Sequence, residues 1–329
     1  MGEKQLSSVE TELYDRQIRL WGIESQEKLR AANVLLLGVK GLGSEVTKNI
    51  VLSGINALTI ADDELVTEHD LAVNFLLTPD CLGKKLSESI LLKAQALNPL
   101  VKLSVESNIN DKKEDYFKNF QIVVATGLQM KQILTISEWC RKNKVKFICG
   151  DVFGMFGCTI SDLQDHDYYE DRVKLPKKRA HSGKSVDAEM TTVKIHALIK
   201  YPSLKRVLKY PEDGKPKKCR NIYFYLMLAL LEFRDKFNRN VSRSKQDEDV
   251  NELKKMFESL AKKYEIDSNK LDENVFELLF GEVVPICSVV GGVIAQEVIK
   301  AVSGKEVPIN NVFILNPLNY SGKEETICN

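Results

Sequence analysis

The sequence predicts an α/β protein built on a doubly wound, mostly parallel sheet. Three observations lead there. Short apolar runs alternate with segments of helical periodicity between residues 33 and 149, a glycine-rich turn joins the first run to the first helix, and the second run ends in Asp62-Asp63. The bulk composition fits a globular chain: 329 residues, 43% hydrophobic and 28% charged, about two domains at roughly 150 residues each. Forty-seven Lys+Arg against forty-six Asp+Glu leave a net charge of +1, so no global field points to nucleic acid or an anionic membrane as partner. The longest apolar runs are Ile222 to Leu231 and Val283 to Ala295, the second broken by Pro285 and Gly291. Both fall short of the roughly 18 residues of a membrane span, and the N-terminus has no apolar leader pattern, so a soluble, non-secreted protein is expected.

The elements follow in order. Tyr14, Ile18, Trp21 and Leu29 recur at near-helical spacing and predict an amphipathic N-terminal arm over Tyr14 to Ala31. Val34 to Leu37 is too short for a helix and is stopped by Gly38, so it is a strand. A helix should run from Ser44 to Leu52, with Gly54 as the residue that ends it, and Leu58 to Ala61 is the second strand. Strand, glycine turn, helix, strand is the opening of a Rossmann-like βαβ unit. The alternation continues with a helix over Lys84 to Leu97 closed by Asn98-Pro99, strands at Val101 to Val105 and Gln121 to Ala125, a helix at Lys131 to Lys142 and a strand at Val145 to Cys149.

Past Gly150-Asp151-Val152-Phe153-Gly154 the pattern changes. A β-leaning Cys158 to Leu163 leads into the acidic stretch Asp162 to Asp171, and Arg172 to Arg220 then carries fifteen Lys/Arg against four Asp/Glu. Within it, Lys177-Lys178-Arg179 reads either as a nuclear-import signal or as a solvated loop. Helices are expected at Asn221 to Asn238, Val250 to Tyr264 and Pro285 to Val302, with a last strand at Asn311 to Leu315. The expected organisation is therefore one Rossmann-like unit over residues 1–165 and 281–329, interrupted at 166–280 by a basic loop and a helical insertion. The two adjacent glycines Gly291 and Gly292, costly inside a helix, should be there for close packing.

Seven scattered cysteines (81, 140, 149, 158, 219, 287 and 328) contain no C-x-x-C pair, and only four histidines (69, 166, 181 and 196) accompany them. Reduced thiols, most of them in the core, and no metal site are expected.

The glycine turn carries the most chemistry. In a nucleotide-binding βαβ unit the first glycine makes the turn, the second lets the backbone approach a pyrophosphate, the third lets helix and strand pack, and an acidic residue about 20 positions on holds the ribose. Gly38, Gly43 and Asp62 satisfy this, Asp62 lying nineteen residues past Gly43, with Gly41 between them. The middle glycine is replaced by Lys40, whose Cβ and four-carbon stem should intrude where a phosphate would sit. That argues for a vestigial pocket. An NAD-dependent oxidoreductase stays open as the alternative, although the second half offers no evident proton-transfer residue.

Longer blocks are more specific. Tyr14-Asp15-Arg16-Gln17-Ile18-Arg19-Leu20-Trp21-Gly22, Gly41-Leu42-Gly43-Ser44-Glu45-Val46-Thr47-Lys48-Asn49-Ile50, Asn74-Phe75-Leu76-Leu77, Gly150 to Gly154, and Gly291-Gly292 with Gln296 to Lys300 together resemble the ubiquitin-activating enzyme family and its bacterial sulfur-carrier relatives. The resemblance covers roughly the first 165 and last 45 residues. It implies the ThiF/MoeB-type adenylation fold, a Rossmann-like doubly wound sheet. Active members carry an Arg, a Lys and a catalytic Asp at positions that fall here at Val73, Leu86 and near Leu128-Gln129, so all three charges are absent.

Those departures, with Lys40, resemble the inactive half of a heterodimeric activating enzyme; by length and by its loop, the chain is most similar to the SUMO branch of the family. The resemblance implies that ATP and Mg2+ are bound by a catalytic partner subunit and none by this chain, which supports adenylation of the SUMO C-terminus and thioester transfer to a partner cysteine. It implies that Arg16 acts in trans on ATP phosphates in the partner's pocket, that Arg19, Gly291 and Gly292 face the partner, and that Gly38, Lys40, Gly41, Gly43 and Asp62 line a vestigial pocket. A pure scaffold subunit is the remaining alternative. The nucleus, and also the cytoplasm, are the expected locations.

Overall fold

A computed structural model describes residues 6–174, 191–208 and 221–328. In chain order the elements are α1 (Ser8–Leu13), α2 (Asp15–Trp21), α3 (Ile23–Arg30), β1 (Asn33–Leu37), α4 (Gly41–Leu52), β2 (Ala57–Ala61), α5 (Glu68–Val73), α6 (Leu86–Leu97), β3 (Lys102–Glu106), α7 (Glu114–Phe117), β4 (Ile122–Thr126), α8 (Met130–Lys142) and β5 (Lys146–Phe153). They continue with β6 (Phe156–Asp162), β7 (Asp165–Lys174), β8 (Thr191–Lys200), α9 (Leu204–Leu208), α10 (Ile222–Phe237), α11 (Gln246–Lys263), α12 (Val284–Ser303), β9 (Val312–Leu315) and β10 (Gly322–Glu325).

Eight strands form one sheet in the order β10-β9-β6-β5-β4-β1-β2-β3. From β3 to β5 the pairing is parallel; β6, β9 and β10 extend it antiparallel. The parallel part, 3-2-1-4-5, reverses direction between β1 and β4, and in such sheets that switch point is where ligands bind. The glycine turn leaves β1 at this place.

Two-residue alternation along the central strands divides the core. Leu35, Leu37, Val123 and Ala125 face the layer that contains Phe224, Leu228, Leu231 and Phe257 of α10 and α11, whereas Val34, Leu36, Ile122 and Val124 face Val46, Ile50, Ile90, Ile294 and Val298 of α4, α6 and α12. The helices expected as an insertion therefore share a core with the sheet and cover one of its faces. A fully buried aliphatic side chain stabilises by about 1.5–3 kcal/mol, so each face depends on its helices.

Several details depart from the sequence reading. The N-terminal arm is three short helices, because Tyr14 turns inward to full burial and Gly22 adopts φ +86° between α2 and α3. The Tyr14 ring fills the space left by Gly54, where a Cβ would stand 2.5 Å from it, and its hydroxyl accepts from Asn98 at 2.9 Å. Pro285 and Gly291 do not break α12: the proline lies in its first turn, where no N–H is needed, and the 20-residue helix is long and apolar enough to cross a membrane, with more than half of it buried in this fold.

The acidic stretch and part of the basic one pair as the antiparallel hairpin β7–β8, and Leu204–Leu208 is helical. Neither element is evident from the sequence, because the charges hide the alternation. The hairpin is docked by Tyr169, whose backbone N–H donates to the Gly304 carbonyl at 2.9 Å and whose ring lies under the ammonium groups of Lys28 and Lys194. Lys177, Lys178 and Arg179 lie outside the described residues. Five of the six described cysteines are buried and all six are free, as expected of reduced thiols.

Candidate functional site

The turn between β1 and α4 shows why two of its glycines are required. Gly38 has φ +83°, and a Cβ there would stand 2.1 Å from the Thr126 carbonyl oxygen; a Cβ on Gly43 would stand 2.2 Å from the Gly38 oxygen. Thr126 Oγ1 donates to that same Gly38 carbonyl at 2.8 Å, which ties β1 to β4 across the switch point. The turn and packing roles of the first and third glycines are intact.

The phosphate-facing part is not open. Val39 donates its backbone N–H to Asp62 Oδ2 at 2.9 Å, and Gly41 and Leu42 donate theirs to Glu282 Oε2 and Oε1 at 2.8 and 3.1 Å. Asp62 also accepts from the Glu64 N–H at 3.0 Å, so the residue placed to hold a ribose is folded back onto its own loops. Burial pushes the Asp62 and Glu282 carboxyls above the usual carboxylate range, while the loop amides pull them back down. Lys40, with an ordinary φ of −64°, is half-buried and does not lie across the amides; its ammonium pairs with Glu64 at 2.6 Å. The obstruction expected of Lys40 is thus supplied by carboxylates, and Glu282 was not singled out by sequence reasoning. Its only signal was a lone acid preceding an apolar helix.

The three positions at which the resemblance expects charges are apolar or structural. Val73 packs within 3.1 Å of where a Gly41 Cβ would be, Leu86 is fully buried, and the Leu128 carbonyl accepts from Arg234 at 2.8 Å. Arg234, on α10, is a second residue the sequence did not reveal. Its guanidinium grips Asp151 in a two-pronged pair at 2.9 and 2.6 Å, with both side chains buried, reaches Asn240 at 2.6 Å, and stacks 4.9 Å from the Phe153 ring centre. Burial alone pushes the Asp151 carboxyl up; the guanidinium is what makes a charged Asp151 tolerable there.

The structure brings Gly38, Lys40, Gly41, Gly43 and Asp62 together in one loop cluster. It does not bring Arg16 to it. Arg16 is exposed on α2 and forms no hydrogen bond or ion pair among the described residues, whereas Arg19 pairs with Asp15 at 2.9 Å one turn back along the same helix. Gly291, expected at a partner interface, packs inside this chain: a Cβ there would stand 2.8 Å from the Glu45 Cβ of α4, so α4 and α12 touch at that point. Gly292 has open space where its Cβ would be, so the close packing expected of the pair belongs to Gly291 alone. Among the described residues no group of three or more His, Cys, Asp or Glu is arranged to hold a metal ion.

Comparison with known proteins agrees with this architecture. The ThiF family profile matches residues 14–328. SUMO-activating enzyme subunit 1 of Homo sapiens is 34% identical over 338 residues, covering 98% of this chain and 96% of that protein. The proteins of the same name from Xenopus laevis and Danio rerio are 32% and 33% identical, covering 97% and 96% of this chain and 96% and 94% of their own lengths. A crystal structure of E. coli MccB with succinimide has a TM-score of 0.55 at 13% identity, covering 96% of this chain and 71% of that one, which is a likeness of fold. The chain belongs to the ThiF family, in the line of SUMO-activating enzyme subunit 1.

Proposed function

We propose that this chain is the half of a heterodimeric SUMO-activating enzyme that holds no nucleotide. Membership of the ThiF family carries ATP-dependent adenylation with it. In our reading ATP and Mg2+ are held by the catalytic second subunit, which adenylates the C-terminal glycine of SUMO and receives the acyl group on its own cysteine. This chain contributes architecture and Arg16.

The observation that carries the reading is the fit of the loop. ATP needs the amides of Val39, Gly41 and Leu42 free, and each donates to a carboxylate of this same chain. The residues do not fit a bound triphosphate. A dinucleotide oxidoreductase is disfavoured on the same ground, with Asp62 turned away from any ribose, and by the full-length relatives. Arg16 supports the second part: a guanidinium with no partner among the described residues suits the recognition of phosphate by a fork of donors. A nuclear location, with import read from Lys177, Lys178 and Arg179, belongs to the same proposal; changing all three to Ala should move a fluorescent fusion out of the nucleus, and an unchanged distribution would remove that signal.

The test is ATP–pyrophosphate exchange dependent on SUMO. The isolated chain should show none, and co-assembly with the catalytic subunit should restore it. Exchange by the single purified chain would overturn the proposal.

A further inference from the structure

We infer that Glu282 is an internal substitute for a phosphate group, its carboxylate seated on the anion position of the β1–α4 loop so that removing this one side chain would reopen the position to polyphosphate. The inference deepens the proposed function and rests on its reading that this chain holds no nucleotide.

The geometry is that of an anion on a helix start. One carboxylate straddles the first two amides of the 12-residue α4, with Oε2 on the Gly41 N–H at 2.8 Å and Oε1 on the Leu42 N–H at 3.1 Å. Those donors have no partner within the helix, and the partial positive charge there favours an anion. Lys40, at the capping position, supplies no side-chain cap of its own. Glu282 is no local cap either, since it arrives from more than 200 residues along the chain. Gly41 is what admits it: a Cβ at that position would lie 2.9 Å from Oε2.

The segment carrying Glu282 is held in place by the Gly150 to Gly154 block. Gly154 donates to the Gly281 carbonyl at 2.6 Å, Met155 donates to Leu278 at 2.8 Å, and a Cβ on Gly154 would stand 2.0 Å from the Leu278 oxygen. Gly281 takes φ +71° to present the next residue to the loop. Two stretches that sequence similarity alone leaves unexplained thus converge on delivering one carboxylate to two amides. Asp62 on the Val39 amide satisfies a third donor of the loop from within.

The experiment compares the full chain with Glu282→Ala and Glu282→Gln, using inorganic pyrophosphate and sulfate as probes, sodium chloride matched in ionic strength as the control, and both titration calorimetry and melting temperature as readouts. Wild type should show no saturable binding. Glu282→Ala should melt at a lower temperature, gain saturable pyrophosphate binding that wild type lacks, and regain part of its lost melting temperature as the anion fills the vacated place. Glu282→Gln, which keeps the shape and one acceptor oxygen, should fall between them and serves as the test should the alanine variant not fold. Pyrophosphate affinity of the folded variants no greater than wild type's would show that Glu282 only fastens the α12 segment, and would overturn the inference while leaving the proposed function standing. Tight pyrophosphate or ATP binding by wild type would sink both.

Discussion

The loop after β1 and the helix α2 treat charge in opposite ways. Around the loop, Asp62, Glu64, Glu282 and Lys40 are all committed to amides or to one another inside the chain, and the nearby Arg234–Asp151 pair is buried and closed on itself. On α2, Arg19 has a helical partner but Arg16, one turn away, has none among the described residues and is exposed. A loop whose Val39, Gly41 and Leu42 amides already donate to carboxylates of its own chain has those donors closed to a ligand. A region that leaves a guanidinium free costs little folding energy and has something to offer a second molecule. The loop is closed by carboxylates of its own chain, and a guanidinium with no partner among the described residues lies on the N-terminal arm.

The largest effect is expected from Arg234→Leu, which leaves Asp151 buried and uncompensated and should cost about 3–5 kcal/mol in denaturant unfolding; Arg234→Leu with Asp151→Leu should recover much of it. A loss under about 1 kcal/mol would mean that the pair is not closed as described. Arg16→Ala should leave stability unchanged but slow adenylation in the reconstituted heterodimer by roughly 10² to 10³, about 3–4 kcal/mol, with Arg16→Lys restoring only part. A wild-type rate with an intact dimer would reduce this chain to a scaffold.

His166 sharpens the stability side. It is buried, its Nε2 has no partner among the described residues, and burial with Lys146 nearby lowers its pKa from 6.5 to about 4. The folded state thus disfavours the proton that the unfolded chain takes up near pH 6.5. Its contribution is complete above that pH and is lost as pH falls towards 4, on the order of 2–3 kcal/mol. His166→Leu should flatten the stability profile between those limits; an unchanged slope would assign it to other groups. Gly291→Leu, forced against Glu45, should cost roughly 1–3 kcal/mol, while Gly292→Leu should be tolerated by the isolated chain. Equal losses would contradict the packing described for α12. Smallest of all, Arg19→Ala should cost no more than about 0.5 kcal/mol, the worth of an exposed helical pair, and should barely alter exchange.

Most of the sheet and its helices were legible because burial writes itself into sequence as period. The runs Val34 to Leu37 and Val123 to Ala125 are buried on both faces, and α4 and α8 repeat at 3.6 residues. The hairpin β7–β8 was not legible: its strands carry Asp, Glu and Lys on solvated faces, and its pairing is fixed by Tyr169 against Gly304, a contact between distant parts of the chain. The site divides the same way. Gly38, Gly43 and Asp62 are local spacings that a reader can count, and Lys40 was visible as a departure. Glu282 and Arg234 reach the loop and Asp151 from far along the chain, so no window of sequence shows what they touch. Lys40 itself was misjudged because its position was read without Glu64, which draws its ammonium to the side.

On the proposed function, one of the two related halves of the enzyme binds ATP and this chain does not. Equilibrium dialysis of labelled ATP against the assembled heterodimer tests it most directly. The account predicts one site per heterodimer, lost when the catalytic subunit's nucleotide loop is disrupted and retained in Arg16→Ala; two sites, or one that survives disruption of the catalytic subunit's loop, would contradict it.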